Sequence, residues 1–237
     1  MSTHVIEAHP LYGKFHAIAH DEGISHHLIN HLIWEEHILD IIVKHIKDNS
    51  TFIDIGANLG CHCVGAAAKL RNKRTVHIAA FEPQPFIFGL LQKNMDASGV
   101  SHECHPLGLG SSETHIFVDM PDYEHCKNPG GFGLNLNGDD DSKTMVTIKT
   151  LDSFHYDNIS VIKIDVEGLE NEVLKGAYQT IQRCKPVMIV EILGGVVIES
   201  ATPEQGQYIR DTIRHIESLN YSVERISFSD YLCKPIL

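Results

Sequence analysis

The chain has 237 residues, 43% of them hydrophobic, and its 31 acidic and 19 basic residues give a formal net charge of −12. This length and apolar content predict one α/β domain with a sizeable core over residues 1–237. The acidic balance disfavours a nucleic-acid partner, since phosphate backbones are bound by clustered Lys and Arg. No apolar run reaches the roughly 20 residues needed to span a bilayer, so no membrane span is expected.

The six cysteines are scattered, and no two of them form a C-x-x-C pair. In a chain of this size they are expected to be free thiols. The N-terminus has no basic stretch followed by an apolar one, which a secretory signal requires. The sequence therefore predicts a cytoplasmic location.

Apolar residues recur at helical spacing between Ser25 and Lys47, which predicts one or two amphipathic helices there. We expect residues 1–48 to form a helical cap on the sheet edge. Between the helices, Trp34-Glu35-Glu36 has two interpretations that both stay open: a packed indole beside solvated acids, or a role at the mouth of a pocket.

Residues 51–55 are apolar and rich in β-branched and aromatic side chains, which predicts a buried strand. Gly56 ends this strand, Gly60 opens a helix, and Ala57 and Asn58 lie in the turn between them. Small residues in such a turn let backbone N–H groups approach a ligand, and the helix N-terminus adds a positive dipole end. The pattern indicates a nucleotide- or cofactor-binding turn, with Asp54 as an acid near the end of the strand. The spacing of the dinucleotide fingerprint G-x-G-x-x-G is absent.

Residues 61–70 are Ala-rich and predict a helix. Cys61-His62-Cys63 contains the residue types that bind zinc, but helix neighbours two positions apart point to different faces. We therefore interpret these three residues as packed side chains.

Residues 76–81 predict the second strand, and Glu82 stands at its end. Glu82 follows Gly60 by about 20 residues, the spacing at which such folds place a carboxylate that binds ribose hydroxyls. Pro83 then stops the strand, and residues 86–97 predict the next helix.

Residues 114–118 and 144–150 alternate as strands do and are expected to pair with one another. Between them, residues 119–142 are rich in Gly, Asn, Asp and Pro. Loops of this length inside a domain are usually functional or disordered. Both interpretations stay open for this loop, a lid over the substrate or a flexible segment.

Residues 161–164 predict another buried strand, followed by Asp165 and Glu167 at its carboxyl end. If the strand geometry persists, the two carboxylates project on the same side. They could then orient a hydroxyl, act as a base or hold a divalent cation. The alternative for Glu167 is an acid that a helix dipole satisfies, but the combination with Asp165 and Lys163 favours a catalytic role for all three.

Residues 186–192 predict the fifth core strand, in which Glu191 is charged within an apolar run. We expect Glu191 to face the pocket and contact substrate. Residues 204–219 predict the last long helix, and residues 221–233 predict two closing antiparallel strands. Strands alternating with helices indicate a doubly wound sheet with its site at the carboxyl ends of the strands.

Seven stretches of the chain follow one another in a distinctive order and spacing: Phe52–Gly60, Ala80–Pro85, Leu91–Asn94, Thr150–Asp152, Ile162–Gly168, Val173–Gly176 and Pro186–Glu191. Together they resemble the FkbM family of S-adenosylmethionine-dependent methyltransferases. The resemblance implies a class I, Rossmann-like fold whose mostly parallel sheet has seven strands, the last one antiparallel. It also implies a cofactor site formed by Asp54, Gly56, Ala57, Asn58, Gly60, Glu82 and Pro83.

The function that the resemblance implies is methylation of a hydroxyl on a sugar, glycan or natural product, with S-adenosylmethionine as the donor. A divalent cation, Mg or Mn, on Asp165 and Glu167 stays an open addition. Two alternatives also stay open: a cofactor-binding module without catalysis and an NAD-dependent oxidoreductase. The sequence predicts a small-molecule or glycan acceptor and leaves the oligomeric state undetermined.

Overall fold

The computed structural model describes residues 3–131, 133–134 and 143–236. Within these residues the chain forms twelve β-strands and seven α-helices. The strands are β1 Thr3–His9, β2 Gly13–Ile18, β3 Ser50–Ile55, β4 Val76–Phe81, β5 Ser101–His105, β6 Gly108–Leu109, β7 Thr114–Val118, β8 Thr144–Lys149, β9 Ile159–Ile164, β10 Val187–Glu191, β11 Tyr221–Arg225 and β12 Asp230–Pro235. The helices are α1 Ile24–Ile29, α2 Glu36–His45, α3 Cys61–Leu70, α4 Pro85–Ser98, α5 Glu170–Gly176, α6 Tyr178–Cys184 and α7 Pro203–Ser218.

Seven strands form one sheet in the order β11-β12-β10-β9-β3-β4-β5. Strands β10, β9, β3, β4 and β5 pair in parallel. The last strand of the chain, β12, runs antiparallel to both of its neighbours, β10 and β11. The predicted doubly wound, mostly parallel seven-stranded sheet with an antiparallel last strand is therefore confirmed.

The central strand β3 is buried along its whole length, and its side chains alternate between two apolar layers. Phe52 packs in a cluster with residues of α2, α3 and α4, whereas Ile53 and Ile55 pack in a second cluster with residues of α5, α6 and α7. Since successive strand residues point to opposite faces, helices cover both sides of the sheet. This double cover explains why the strand sequence is apolar almost without interruption.

The prediction of a helical cap over residues 1–48 is wrong for residues 3–18, which form the antiparallel hairpin β1–β2. Strand β2 contributes Phe15, Ala17 and Ile18 to the core, whereas Lys14 and His16 are more exposed. Gly13, with φ of +68°, takes the left-handed conformation that the chain needs as it enters β2. Helices α1 and α2 follow the hairpin, where the helical spacing predicts them.

Asn94 of α4 joins this hairpin to the body of the domain, and its side chain is fully buried. Its Oδ1 accepts the N–H of His16 at 2.7 Å, and its Nδ2 donates to the carbonyls of His16 at 3.0 Å and Leu59 at 2.9 Å. One side chain thus connects the N-terminal segment to the turn that follows β3.

A separate three-stranded sheet has the order β6-β8-β7. Strands β7 and β8 pair antiparallel, which confirms the predicted pairing of residues 114–118 with 144–150, and β6 pairs parallel with β8. Four buried side chains give this sheet its own small apolar cluster: Ile116, Val118, Val146 and Ile148.

After β9 the chain forms two short helices, α5 and α6, which meet at Ala177. Val173, Ala177 and Ile181 of this segment are all buried. None of the helices within the described ranges has the length and apolar character needed to cross a bilayer.

Candidate active site

A cavity of about 330 Å³ lies at the carboxyl ends of the central strands. Its wall includes the turn after β3, Glu82 after β4, Asp165 after β9 and Glu191 at the end of β10. Parallel strands bring these chain-distant residues together because their carboxyl ends meet at one edge of the sheet. The volume is in the range of pockets that bind small molecules.

The turn after β3 is held closely by its neighbours. The N–H groups of Gly56 and Ala57 donate to the Phe81 carbonyl at 3.0 and 2.9 Å. Gly56 has φ of +81°, and a Cβ on it would lie 1.7 Å from the carbonyl oxygen of Asp165. Glycine is therefore required here by the approach of β9 as well as by backbone conformation. Gly56, Ala57 and Asn58 all line the cavity.

Glu82 is only 4% exposed, and both of its carboxylate oxygens accept backbone N–H groups. Its Oε2 accepts from Asn58 at 3.0 Å and its Oε1 from Gln84 at 2.8 Å. Burial raises the pKa of Glu82 to about 7. Each oxygen retains lone-pair capacity for a further donor, so the carboxylate can still accept from ligand hydroxyls. Pro83 also lines the cavity.

Two residues of the predicted cofactor site do not line the cavity. Asp54 is 1% exposed, and its Oδ2 accepts a hydrogen bond from Cys63 Sγ at 3.1 Å. Gly60 packs against α4, where a Cβ would lie 2.7 Å from Leu91 Cδ1. Neither residue is among those that line the cavity, so any role of theirs toward a ligand stays a prediction.

Lys163 and Asp165 form an ion pair in the cavity wall, with Nζ 2.7 Å from Oδ2. Burial alone would lower the pKa of Lys163, but the nearby carboxylates of Asp165, Asp54 and Glu35 outweigh burial and raise it. The lysine therefore stays charged and offsets several acids at once.

Glu167 lines the cavity, but its backbone does not have the strand conformation considered in the sequence analysis. Strand β9 ends at Ile164, and Glu167 is left-handed with φ of +52°, so strand geometry does not persist to this residue. Its carboxylate lies against Gly194, where a Cβ would be 2.7 Å from Glu167 Oε2. Burial raises the pKa of Glu167 to about 7. Asp165 and Glu167 both line the cavity, and their catalytic role stays a prediction.

Glu191 faces the cavity and is also hydrogen-bonded, with its Oε1 accepting from Ser229 Oγ at 2.9 Å. Burial and the carboxylate of Asp165 raise the pKa of Glu191, whereas Lys163 opposes that shift. Within the described residues, no group of three or more His, Cys, Asp and Glu side chains is arranged to hold a metal ion.

Trp34 and Glu35 line the cavity, in agreement with the open interpretation that places them at the mouth of a pocket. His62, which is interpreted from the sequence as a packed side chain, lines it as well. Glu35 Oε2 lies 3.4 Å from His62 Nε2. The sequence features that mark these positions are the two acids after Trp34 and the Cys-His-Cys motif of residues 61–63. Neither signal indicated that the two segments meet.

The described part of the 119–142 loop also contributes to the cavity wall, through Asn128, Gly130 and Gly131. Gln84 holds this segment, because its Nε2 donates to the Pro129 carbonyl at 3.2 Å and its Oε1 accepts from Tyr123 OH at 2.9 Å. Residues 132 and 135–142 lie outside the described residues, and the lid stays a prediction.

The family model of the methyltransferase FkbM domain matches residues 54–223. The chain is 30% identical over 169 residues to the hexuronic acid methyltransferase AglP of Haloferax volcanii, covering 71% of this chain and 66% of the relative. It is 28% identical over 154 residues to Methyltransferase 1 of Beauveria bassiana, covering 56% of this chain and 61% of the relative.

Among solved structures, an FkbM methyltransferase from Methylobacillus flagellatus KT shares the fold, with a TM-score of 0.54 and 16% identity. That match covers 80% of this chain and 44% of the other. For the two sequence relatives, AglP and Methyltransferase 1, the matched part of this chain covers less than two thirds of the relative's length.

Proposed function

Because the chain belongs to the FkbM methyltransferase domain family, we propose that it is an S-adenosylmethionine-dependent methyltransferase acting on a hydroxyl of a sugar, glycan or natural product. The observation that carries the proposal is Glu82, a buried carboxylate fixed by the N–H of Asn58 at 3.0 Å beside the glycine turn. This arrangement suits the two hydroxyls of a ribose at the end of β4.

The residues present fit such a cofactor. Glu82 would accept the ribose hydroxyls, and Gly56, Ala57 and Asn58 would contact the part of the cofactor next to the ribose. Leu107 and Leu109, which also line the cavity, offer an apolar surface to the adenine ring. S-adenosylmethionine, when bound, supplies a methyl group on a sulfonium that is reactive toward an oxygen nucleophile.

The chain's own contribution to the reaction is to hold the acceptor oxygen and to remove its proton. Glu167 is the candidate base, because its pKa of about 7 lies near the pH at which the enzyme would work. Asp165, held by Lys163 at 2.7 Å, would orient the hydroxyl, and Glu191 would accept a further hydrogen bond from the acceptor. A divalent cation on Asp165 and Glu167 is the second form of this proposal, and activity that EDTA leaves unchanged would exclude it.

A sugar acceptor is supported by the relative AglP, whose name assigns it to hexuronic acid. Two rival functions use the same cavity. A binding module would bind the cofactor and never turn over. An oxidoreductase would bind NAD, which neither the glycine spacing nor the family supports. All six cysteines are free thiols, which fits the cytoplasm as the compartment that we propose.

The test begins with calorimetric titration of S-adenosylhomocysteine, with NAD as the comparison. Binding of the former alone supports the cofactor, and labelled S-adenosylmethionine then reports transfer to a panel of sugars and glycans. Asp165→Asn and Glu167→Gln should each lower turnover about 100-fold or more, which is typical for loss of a catalytic proton acceptor. Affinity for S-adenosylhomocysteine should stay within a few-fold.

The matched control is Glu199→Gln, since Glu199 is exposed and pairs with Arg225 away from the cavity. It should leave both measurements unchanged. If the Asp165 and Glu167 variants retain near-normal rates, the catalytic assignment is wrong. If the wild type binds the cofactor but transfers no methyl group to any acceptor, the result supports the rival function, a binding module without catalysis.

A further inference from the structure

We propose that Glu35 and His62 form a subsite for a hydrogen-bond-donating group, an ammonium or a hydroxyl, that one of the two reactants carries. The proposal rests on the proposed function and adds to it two residues that lie on the side of the cavity formed by the N-terminal segment and α3.

Glu35 occupies an unusual position for a glutamate. It directly precedes α2 and is left-handed, with φ of +41° and ψ of +51°. Non-glycine residues rarely adopt this conformation, and such strain is concentrated at functional sites. Residues that begin a helix usually cap its N–H groups with their side chain. The Glu35 side chain makes no such hydrogen bond and instead lines the cavity.

His62 presents a buried nitrogen to the same cavity. It is the second residue of α3 and only 6% exposed, and its Nε2 has no hydrogen-bond partner. Glu35 Oε2 is 3.4 Å away, but the two atoms are not aligned as a hydrogen bond. Buried polar atoms in folded proteins nearly always have a partner, so an exception points to a missing water or ligand.

The charge of the pair decides what that ligand group must be. Burial, together with Lys163 and His37, lowers the pKa of His62 well below its ordinary value, so the imidazole is neutral. A neutral ring with its proton on Nδ1 offers a lone pair at Nε2, and the Glu35 carboxylate offers lone pairs beside it. One donor group placed between the two atoms would satisfy both. Burial raises the pKa of Glu35 to about 7, so above that pH an anionic group would meet a carboxylate and a neutral ring, which offer it no positive charge.

Two sources carry such a donor. The amino-acid part of the cofactor has an ammonium, and the acceptor has hydroxyls. Calorimetric titration can separate them, because 5′-methylthioadenosine keeps the adenosine and sulfur of S-adenosylhomocysteine and lacks the amino-acid part.

The experiment compares wild type, Glu35→Gln and His62→Phe, the second of which keeps a ring of similar volume. Glu36→Gln is the matched control, since Glu36 is the next residue along the chain, is exposed and pairs with Lys69. If the donor is the cofactor's ammonium, both variants should lose at least 10-fold in affinity for S-adenosylhomocysteine and less than 2-fold for 5′-methylthioadenosine. If the donor is the acceptor's hydroxyl, both affinities should be unchanged while kcat/KM for the acceptor falls at least 10-fold.

Other outcomes overturn the subsite. Variants that match wild type in both affinities and in kcat/KM would show that the pair contacts neither reactant. Equal losses for both ligands would indicate general damage to the cavity. Should His62→Phe fail to fold, Glu35→Gln decides alone. A wild-type chain that binds neither ligand overturns the proposed function and the subsite with it, whereas a binding wild type with unaffected variants overturns only the subsite.

Discussion

The ammonium of Lys163 lies 2.7 Å from Asp165 Oδ2, and the lysine side chain is only 2% exposed while the aspartate keeps 26% exposure. Lys163 is therefore the buried partner and Asp165 the one that reaches the cavity. Asp54, Glu35 and Glu191 also act on the lysine electrostatically. A single cation thus stabilises carboxylates from four different segments of the chain.

Lys163→Met should destabilise the protein strongly. Removing one partner of a buried pair leaves uncompensated charge and typically costs about 3–5 kcal/mol of the free energy of unfolding. Urea unfolding at pH 8 measures the loss. The double variant with Asp165→Asn should recover part of it, since one of the stranded charges is then gone. Lys234→Met, at an exposed residue 4.0 Å from Glu224, should change stability by less than about 0.5 kcal/mol. A Lys163→Met variant as stable as this control would contradict the electrostatic role.

Glu82→Gln should weaken binding of S-adenosylhomocysteine by about 10-fold or more, because hydrogen bonds to a charged group contribute about 1.5–3 kcal/mol. The amide can accept at only one of the two atoms that hold Asn58 and Gln84 in the structure. Calorimetry measures the loss, and Glu199→Gln serves as the unaffected comparison. Wild-type affinity in Glu82→Gln would remove the ribose assignment.

Glu35→Gln should stabilise the ligand-free protein at alkaline pH. Burial raises the pKa of Glu35 from 4.5 to about 7, so between these values the folded state binds more protons than the unfolded state. The free energy of unfolding then falls as the pH rises through this range, and the deficit is complete above about pH 8. The glutamine variant lacks that deficit, so it should exceed wild type by about 3 kcal/mol at pH 8.

The same difference should shrink as the pH falls toward 4.5 and vanish about one pH unit below that value, because Glu35 is then protonated in both states. Urea unfolding at pH 8 and pH 5 gives the two values, and Glu36→Gln should show no such pH-dependent gain. A gain for Glu35→Gln that is equal at both pH values would mean that its cause is not the titration of this carboxyl.

Gly176→Ala and Gly89→Ala should have opposite effects although both glycines lie in helices. A Cβ on Gly176 would lie 1.9 Å from the Gly110 carbonyl oxygen, so α5 must shift, and such overpacking costs about 1–3 kcal/mol. A Cβ on Gly89 of α4 would have no heavy atom within 4 Å apart from the adjacent residues and the backbone of its own helix. Alanine should therefore stabilise this helix by about 0.5–1 kcal/mol. Thermal unfolding of the pair tests this, and two changes of the same sign would contradict it.

The sequence predicts the parallel core of the fold well because each of its elements has strong local signals. Residues 61–70 and 76–81 form a helix and a strand with the predicted bounds. The carboxyl ends of β4, β9 and β10 bring Glu82, Asp165 and Glu191 to one cavity, which follows from strand direction alone.

Other features depend on contacts that no local pattern encodes. Asp54 has the position of a ligand-binding acid, yet it is buried and its Oδ2 accepts a hydrogen bond from Cys63 of the following helix. Glu35 and His62 meet only because the segment between α1 and α2 packs beside α3. The β1–β2 hairpin has too few strictly alternating residues to be distinguished from a loop before its docking on Asn94 is known.

The contacts of Gln84 bear on the order in which the cofactor and the acceptor bind. Glu82 accepts the N–H of Gln84 at 2.8 Å, while the Gln84 side chain holds Tyr123 and the Pro129 carbonyl of the loop that borders the cavity. The loop that borders the cavity is thus held by a residue two positions beyond the carboxylate that we assign to the ribose. We expect an ordered kinetic mechanism in which S-adenosylmethionine binds before the acceptor and S-adenosylhomocysteine leaves last. S-adenosylhomocysteine should therefore inhibit competitively against S-adenosylmethionine and non-competitively against the acceptor.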